Sequence, residues 1–175
     1  SDVRLADLNL DGSLDLEVLE PGTGMIAAFP GNGTLTFGVS VLTSVTTASS
    51  MDISELNGDG RPDAALASFG TNTGEVRFGQ ANLAFAPGPL ISGLLAPAHV
   101  TSGDLSSDGI ADLVFSATFF GVCSFVPGLG GGSFAPPQSL ATGGFVEEIA
   151  LGDLNADGKL DLVGAIPASS ALTVL

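Results

Sequence analysis

Hydrophobic positions in this chain come in short alternating runs, broken by glycine, asparagine, aspartate, serine and threonine, with no stretch at a helical period. Alternation at period two places every second side chain on one face of an extended strand. One class of strand, A, reads "SDVRLA", "SSMDIS" and "EEIALG". A second, B, reads "LEVLE", "AALAS", "LVFSA" and "LVGAI", and a third, C, reads "MIAAF", "EVRFG", "VCSFV" and "LTVL". A fourth, D, follows a Gly/Asn-rich turn ending in Phe, as in "FGVSVL", "FAPGPL" and "FAPPQSL". Many short strands joined by turns predict an all-β chain.

The classes recur in a fixed order. Between strands A and B stand "DLNLDGSLD", "ELNGDGRPD", "DLSSDGIAD" and "DLNADGKLD", starting at residues 7, 55, 104 and 153, so the spacings are 48, 49 and 49. Phe37, Phe85 and Phe134 each lie 30 residues after a motif start. Val3, Met51, Val100 and Ile149 each precede a motif by four. The repeats run approximately over 1–48, 49–97, 98–146 and 147–175, the last incomplete. Four short strands in a unit of this length is the pattern of a propeller blade. The prolines of class D suit an outer edge strand, where a missing N–H is tolerated. The expected architecture is therefore a β-propeller of four-stranded antiparallel blades, about three and a half of them. Propellers close with roughly 4–8 blades. Closure is expected from association of two half-propellers, or from further repeats of a longer chain.

The nine-residue motif carries the chemistry. Oxygen side chains stand at positions 1, 3, 5 and 9, and position 6 is always glycine. Oxygens on alternate residues of a tight loop can turn to one centre, and position 7 can add its carbonyl. An oxygen-only cage suits Ca²⁺ rather than zinc or copper. In the first copy the ligands would be Asp7, Asn9, Asp11, the Ser13 carbonyl and Asp15; in the second, Glu55, Asn57, Asp59, the Arg61 carbonyl and Asp63. The third offers Asp104, Ser106, Asp108, the Ile110 carbonyl and Asp112; the fourth, Asp153, Asn155, Asp157, the Lys159 carbonyl and Asp161. Up to four ions are expected, with the first and fourth loops the best sites. Glu55 must fold back and Ser106 is a weak neutral ligand, so the middle loops should bind less tightly. An EF-hand needs a glutamate at position 12, where this chain has Val18, Leu66, Phe115 and Gly164. Aspartate, asparagine and glycine are also good turn formers, but four copies in register with one oxygen spacing ask for more than turns.

"LNGDGRPDAALA" and "GDLNADGKLDLVGA" resemble the FG-GAP/VCBS repeat family, the calcium-loop propeller repeats also found in integrin α subunits. The resemblance covers essentially the whole chain. It implies four-stranded antiparallel blades with calcium in the A–B loops. It also implies an extracellular or cell-surface setting and a binding or scaffolding role.

Composition narrows the partners. Four basic residues against nineteen acidic ones, a net charge of −15, argue against a nucleic-acid partner, whose phosphate backbone needs a Lys/Arg surface, and against an anionic membrane surface. No apolar run approaches the length needed to span a bilayer. The motifs hold three acidic residues each, twelve of the nineteen. Crowded carboxylates repel one another without a cation. Cys123 stands alone in an apolar setting and reads as a core residue. The one histidine, His99, lies just ahead of a strand A with no nucleophile motif nearby, and Glu147 and Glu148 alternate faces rather than forming a carboxylate pair. A non-catalytic module for adhesion, recognition or scaffolding is the leading expectation, with a protein or glycan ligand. A lectin-like propeller is the alternative, although the chain has no Trp or Tyr to stack on sugar. A non-catalytic part of a larger secreted enzyme is a remote third. Asp2, Ser50, His99 and Glu148, and likewise Arg4, Asp52, Thr101 and Ala150, vary among otherwise regular repeats, which marks them as candidates for a central channel or ligand surface.

Overall fold

A computed structural model describes residues 2–20, 22–117 and 119–174. Blade 1 is β1 (Asp2–Ala6), β2 (Asp15–Glu20), β3 (Met25–Phe29) and β4 (Val41–Ser44), paired antiparallel in that order. Blade 2 repeats it with β5 (Ser50–Ser54), β6 (Asp63–Ser68), β7 (Thr73–Gly79) and β8 (Phe85–Ile91). In blade 3, β9 (Pro97–Gly103), β10 (Asp112–Ala117) and β11 (Val122–Val126) are followed by a small hairpin, β12 (Gly128–Gly130) with β13 (Ser133–Phe134). Strand β14 (Gln138–Ala141) then completes that sheet. Blade 4 has three described strands, β15 (Glu148–Gly152), β16 (Asp161–Ile166) and β17 (Ala171–Val174). The first strands of successive blades pack side by side, β1 on β5, β5 on β9 and β9 on β15. The result is an all-β propeller array, as the strand pattern predicts. Among the described residues, helix is confined to two short 3-10 turns, and no helix is long and apolar enough to cross a membrane.

The core lies between blades rather than within them. Leu19 and Ile26 of blade 1 meet Met51 and Leu66 of blade 2; Val76 meets Val100 and Phe115; Val114 and Cys123 meet Leu162 and Ile166. Alternation explains the arrangement. Along β6, Ala64 and Leu66 face blade 1 while Ala65 and Ala67 face blade 3, so the whole strand is buried. Small residues let sheets approach. A Cβ on Gly74 would come within 2.5 Å of the Phe115 ring.

Polar side chains lace the inner strands across the same interfaces. Asp2 Oδ2 accepts the Met51 N–H, Ser50 Oγ accepts the Val100 N–H, and Asp52 Oδ2 accepts the N–H and hydroxyl of Ser102. Arg4 pairs with Asp2 and Asp52. These variable positions are therefore blade-to-blade connectors in blades 1 and 2, not a free channel lining. Two further details depart from the sequence reading. His99 lies within β9, its Nδ1 buried and without a partner among the described residues. Pro136 and Pro137 precede β14 instead of lying in it, whereas Pro87 and Pro89 do sit in the outer strand β8.

Candidate functional site

All four nine-residue motifs form the hairpin loop between the first and second strand of a blade, so they project from one rim of the array. Each loop turns through two left-handed residues. Position 6 is Gly12, Gly60, Gly109 or Gly158, at φ of 83 to 89°, where glycine carries no Cβ penalty. Position 4 is also left-handed, at Leu10, Gly58, Ser107 and Ala156, three of them residues that adopt this region at some cost. Sequence reasoning identified the first of these turns and missed the second.

The side chains at positions 1, 3 and 5 bend back onto the loop. In the first copy Asp7 accepts the N–H groups of Asp11 and Gly12, at 3.0 and 2.8 Å. Asp104 and Asp153 repeat this on Asp108/Gly109 and Asp157/Gly158. The position 5 carboxylate accepts the N–H two residues on, as Asp11 does from Ser13, Asp59 from Arg61, Asp108 from Ile110 and Asp157 from Lys159. That N–H, helped by the Asn9 amide, holds the exposed Asp11 carboxyl below the usual aspartate range. Asn9 and Asp7 oxygens both reach the Asp11 N–H, and Asn155 and Asp153 both reach that of Asp157, so positions 1 and 3 converge in the first and fourth loops. The second loop differs. Glu55, one methylene longer, reaches only the N–H groups of Asn57 and Gly58.

In the first three copies position 9 is buried and acts as a staple. Asp15 accepts the Leu8 N–H on one oxygen and the Gly31 N–H on the other, at 3.0 and 2.8 Å. Asp63 does the same with Leu56 and Gly79, and Asp112 with Leu105, Ser106 and Gly128. Each therefore ties its own loop to the end of the third strand, 16 residues away. Asp161 accepts from Leu154. Burial pushes the Asp63 carboxyl up to about 6, against the pull of its two N–H donors and with further repulsion from Asp59 and Glu55. The glycines in this staple have no room for a side chain. A Cβ on Gly31, Gly79 or Gly128 would lie 1.9, 2.0 or 2.3 Å from the carbonyl oxygen of Leu14, Pro62 or Ala111. These glycines, 24 residues after each motif start, went unread in the sequence, although their register was there to find.

As a donor set the loops are all oxygen, which fits a hard cation. Every carboxylate named above already accepts a backbone N–H through at least one oxygen, and among the described residues no three acidic, histidine or cysteine side chains gather at one point. Carboxylate oxygens keep a second lone pair, so the residues fit calcium chemically while their N–H bonds shape the loops. Cys123, buried between blades 3 and 4, has its thiol pushed up to about 11 by burial, which makes it a packing residue and a poor nucleophile.

A family model for the FG-GAP-like repeat matches residues 7–66 and 55–115, windows that each span two successive motifs. Among solved structures, BBS1N in complex with ARL6DN, soaked with lead, aligns over 99% of this chain and 55% of its own, with TM-score 0.65 and 12% identity. The mercury-soaked crystal of the same complex aligns over 99% and 52%, with TM-score 0.62 and 14% identity. The Photorhabdus luminescens Tc holotoxin pore aligns over 94% of this chain and 8% of its own, at TM-score 0.49 and 20% identity. The chain thus spans about half the length of the BBS1N chains, and the likeness is one of fold. No curated protein matches. With repeat matches over more than half its length, on the very loops and blades described above, the chain belongs to the FG-GAP-like repeat family.

Proposed function

We propose that this chain is a non-catalytic, calcium-stabilised propeller module that serves recognition or scaffolding outside the cell. The observation that carries the reading is the set of four oxygen-only loops on one rim, each with a position 9 aspartate that accepts the position 2 N–H and that is fully buried in the first three. Calcium would be held by the side chains at positions 1, 3, 5 and 9 and the position 7 carbonyl, and would relieve repulsion among three carboxylates per loop. Four ions would bring the formal charge from −15 to −7. Binding to the folded loops alone makes binding free energy into stability, about 2.7 kcal/mol per site at 100 times Kd. Extracellular calcium-binding modules work with Kd values of about 10⁻⁴–10⁻³ M, so even weak loops would be partly filled there.

Calorimetric titration of chelator-treated protein is expected to show uptake of up to four ions, tightest at residues 7–15 and 153–161, with a rise in melting temperature. Asp157→Ala should remove one tight site. Absence of uptake and of stabilisation would leave the loops as turns and end the calcium reading.

A second observation bears on the ligand. At the rim opposite the loops, exposed Phe69 and Phe119 from neighbouring blades meet edge to face, with ring centroids 5.9 Å apart, and Phe120 stands exposed beside them in sequence. Aromatic faces can stack on sugar or anchor a protein partner. Glycan-array binding lost in Phe119→Ala would favour the lectin-like reading. A blank array with calcium present would dismiss it.

A further inference from the structure

The two outermost sheet faces of the array carry the two halves of the interface that holds its blades together. On the face of blade 1 turned away from blade 2, Leu35 is 96% exposed and Phe37 43% exposed; their counterparts in blade 2, Leu83 and Phe85, are 6% and 5% exposed in the cluster shared with blade 1. Val3 is likewise exposed where its counterpart Met51 is fully buried. Leu5, Leu14, Leu35 and Phe37 line a groove of about 280 Å³. In the blade 1–blade 2 interface the corresponding cluster receives Leu8 and Ile26. On the opposite outer face, that of blade 4, Leu154 and Leu172 stand in the register of Leu8 and Ile26, yet are 60% and 69% exposed.

Backbone polarity matches as well. At the first two internal interfaces the residue five before a motif accepts an N–H from the next blade, Asp2 from Met51 and Ser50 from Val100. Among the described residues the side chain that accepts the N–H of Val3, the counterpart of Met51, is its neighbour Asp2 rather than one from another blade. Glu148, the counterpart of Asp2, is exposed on blade 4.

We propose that a second copy of this chain occupies these faces, blade 4 of each copy docking on blade 1 of the other, to close a ring of two chains. Leu154 and Leu172 would enter the groove of the partner copy and Glu148 would accept the Val3 N–H, which repeats the contact the chain makes internally. Head-to-tail contacts either close or run on as filaments. Four blades from each of two chains fall within the roughly 4–8 that rings use.

Sedimentation velocity and light scattering of the full chain, from micromolar to hundreds of micromolar, are expected to give twice the 17.3 kDa chain mass. Leu35→Asp and Leu172→Asp alter side chains that are exposed in the single chain, so both variants should fold, as melting will show. Each alone should sediment as a monomer, and an equimolar mixture should regain a weaker dimer through its one intact pair of faces. A wild-type monomer at all concentrations overturns the proposal, as does a Leu172→Asp variant that still dimerises. A ladder of larger species overturns ring closure. Running each sample with calcium and with chelator separates this result from the calcium reading, because association does not require that the loops bind ions.

Discussion

Replacing Asp63 with asparagine is expected to lower the melting temperature at pH 7 by about 6–12 °C, the equivalent of roughly 3 kcal/mol in a chain of this size. Asp63 is fully buried, and its two oxygens accept the Leu56 and Gly79 N–H groups at 2.9 and 2.8 Å. An asparagine keeps one acceptor oxygen and turns an NH₂ towards the other N–H, so a buried donor faces a donor. Gly79→Ala attacks the same joint from the other side. Its Cβ would sit 2.0 Å from the Pro62 carbonyl, so the third strand must move off and the Gly79 N–H is withdrawn from the carboxylate. The two substitutions break one contact, so the double variant should cost little more than the worse single. Asp59→Ala serves as the control. It lies exposed in the same loop, and its loss should leave chelator-treated stability within about 0.5 kcal/mol of wild type. A calcium-free Asp63→Asn variant that melts with the wild type would show that position 9 is not a staple.

The staple also shows where sequence reading stops. The alternation of apolar residues and the 48 to 49 residue period made the blades legible, because each strand obeys a local rule of faces. The loop motif was legible because its oxygens act within nine residues. Gly79 was not, since its requirement arises from a carbonyl 17 residues earlier that only the folded sheet brings near. Nor was the role of Asp2 and Asp52. Variation from repeat to repeat reads as a ligand surface, but these side chains bond to backbone N–H groups, which every sequence supplies. A side chain that recognises backbone leaves no matching partner to find in the sequence. Position 4 was hidden for a different reason. Leu10 and Ala156 adopt a left-handed conformation that their identity does not advertise.

Glu17 sets the pH dependence of stability. It lies on the same face of β2 as Leu19, turned to blade 2, where blades 2 and 3 carry Ala65 and Val114. Both of its oxygens are buried without a hydrogen-bond partner among the described residues. Burial, with added repulsion from Asp15, pushes its carboxyl up from 4.5 to about 8. The folded protein therefore keeps a proton that the unfolded chain releases. Stability from this group is fully present below pH 4.5 and is lost as the pH rises through about 8, a fall on the order of a few kcal/mol. Asp63, raised to about 6 from 3.8, adds a fall of the same sign at lower pH. Taking the difference between Glu17→Gln and wild type cancels the Asp63 contribution. In urea unfolding with chelator present, the variant is expected to gain on wild type steadily between pH 5 and 8.5, and Glu17→Met, which removes the buried polar group, to gain more still. A wild-type-to-variant difference that does not change with pH would mean that Glu17 does not carry the proton, and that hydration or a moved side chain relieves its charge in the blade interface.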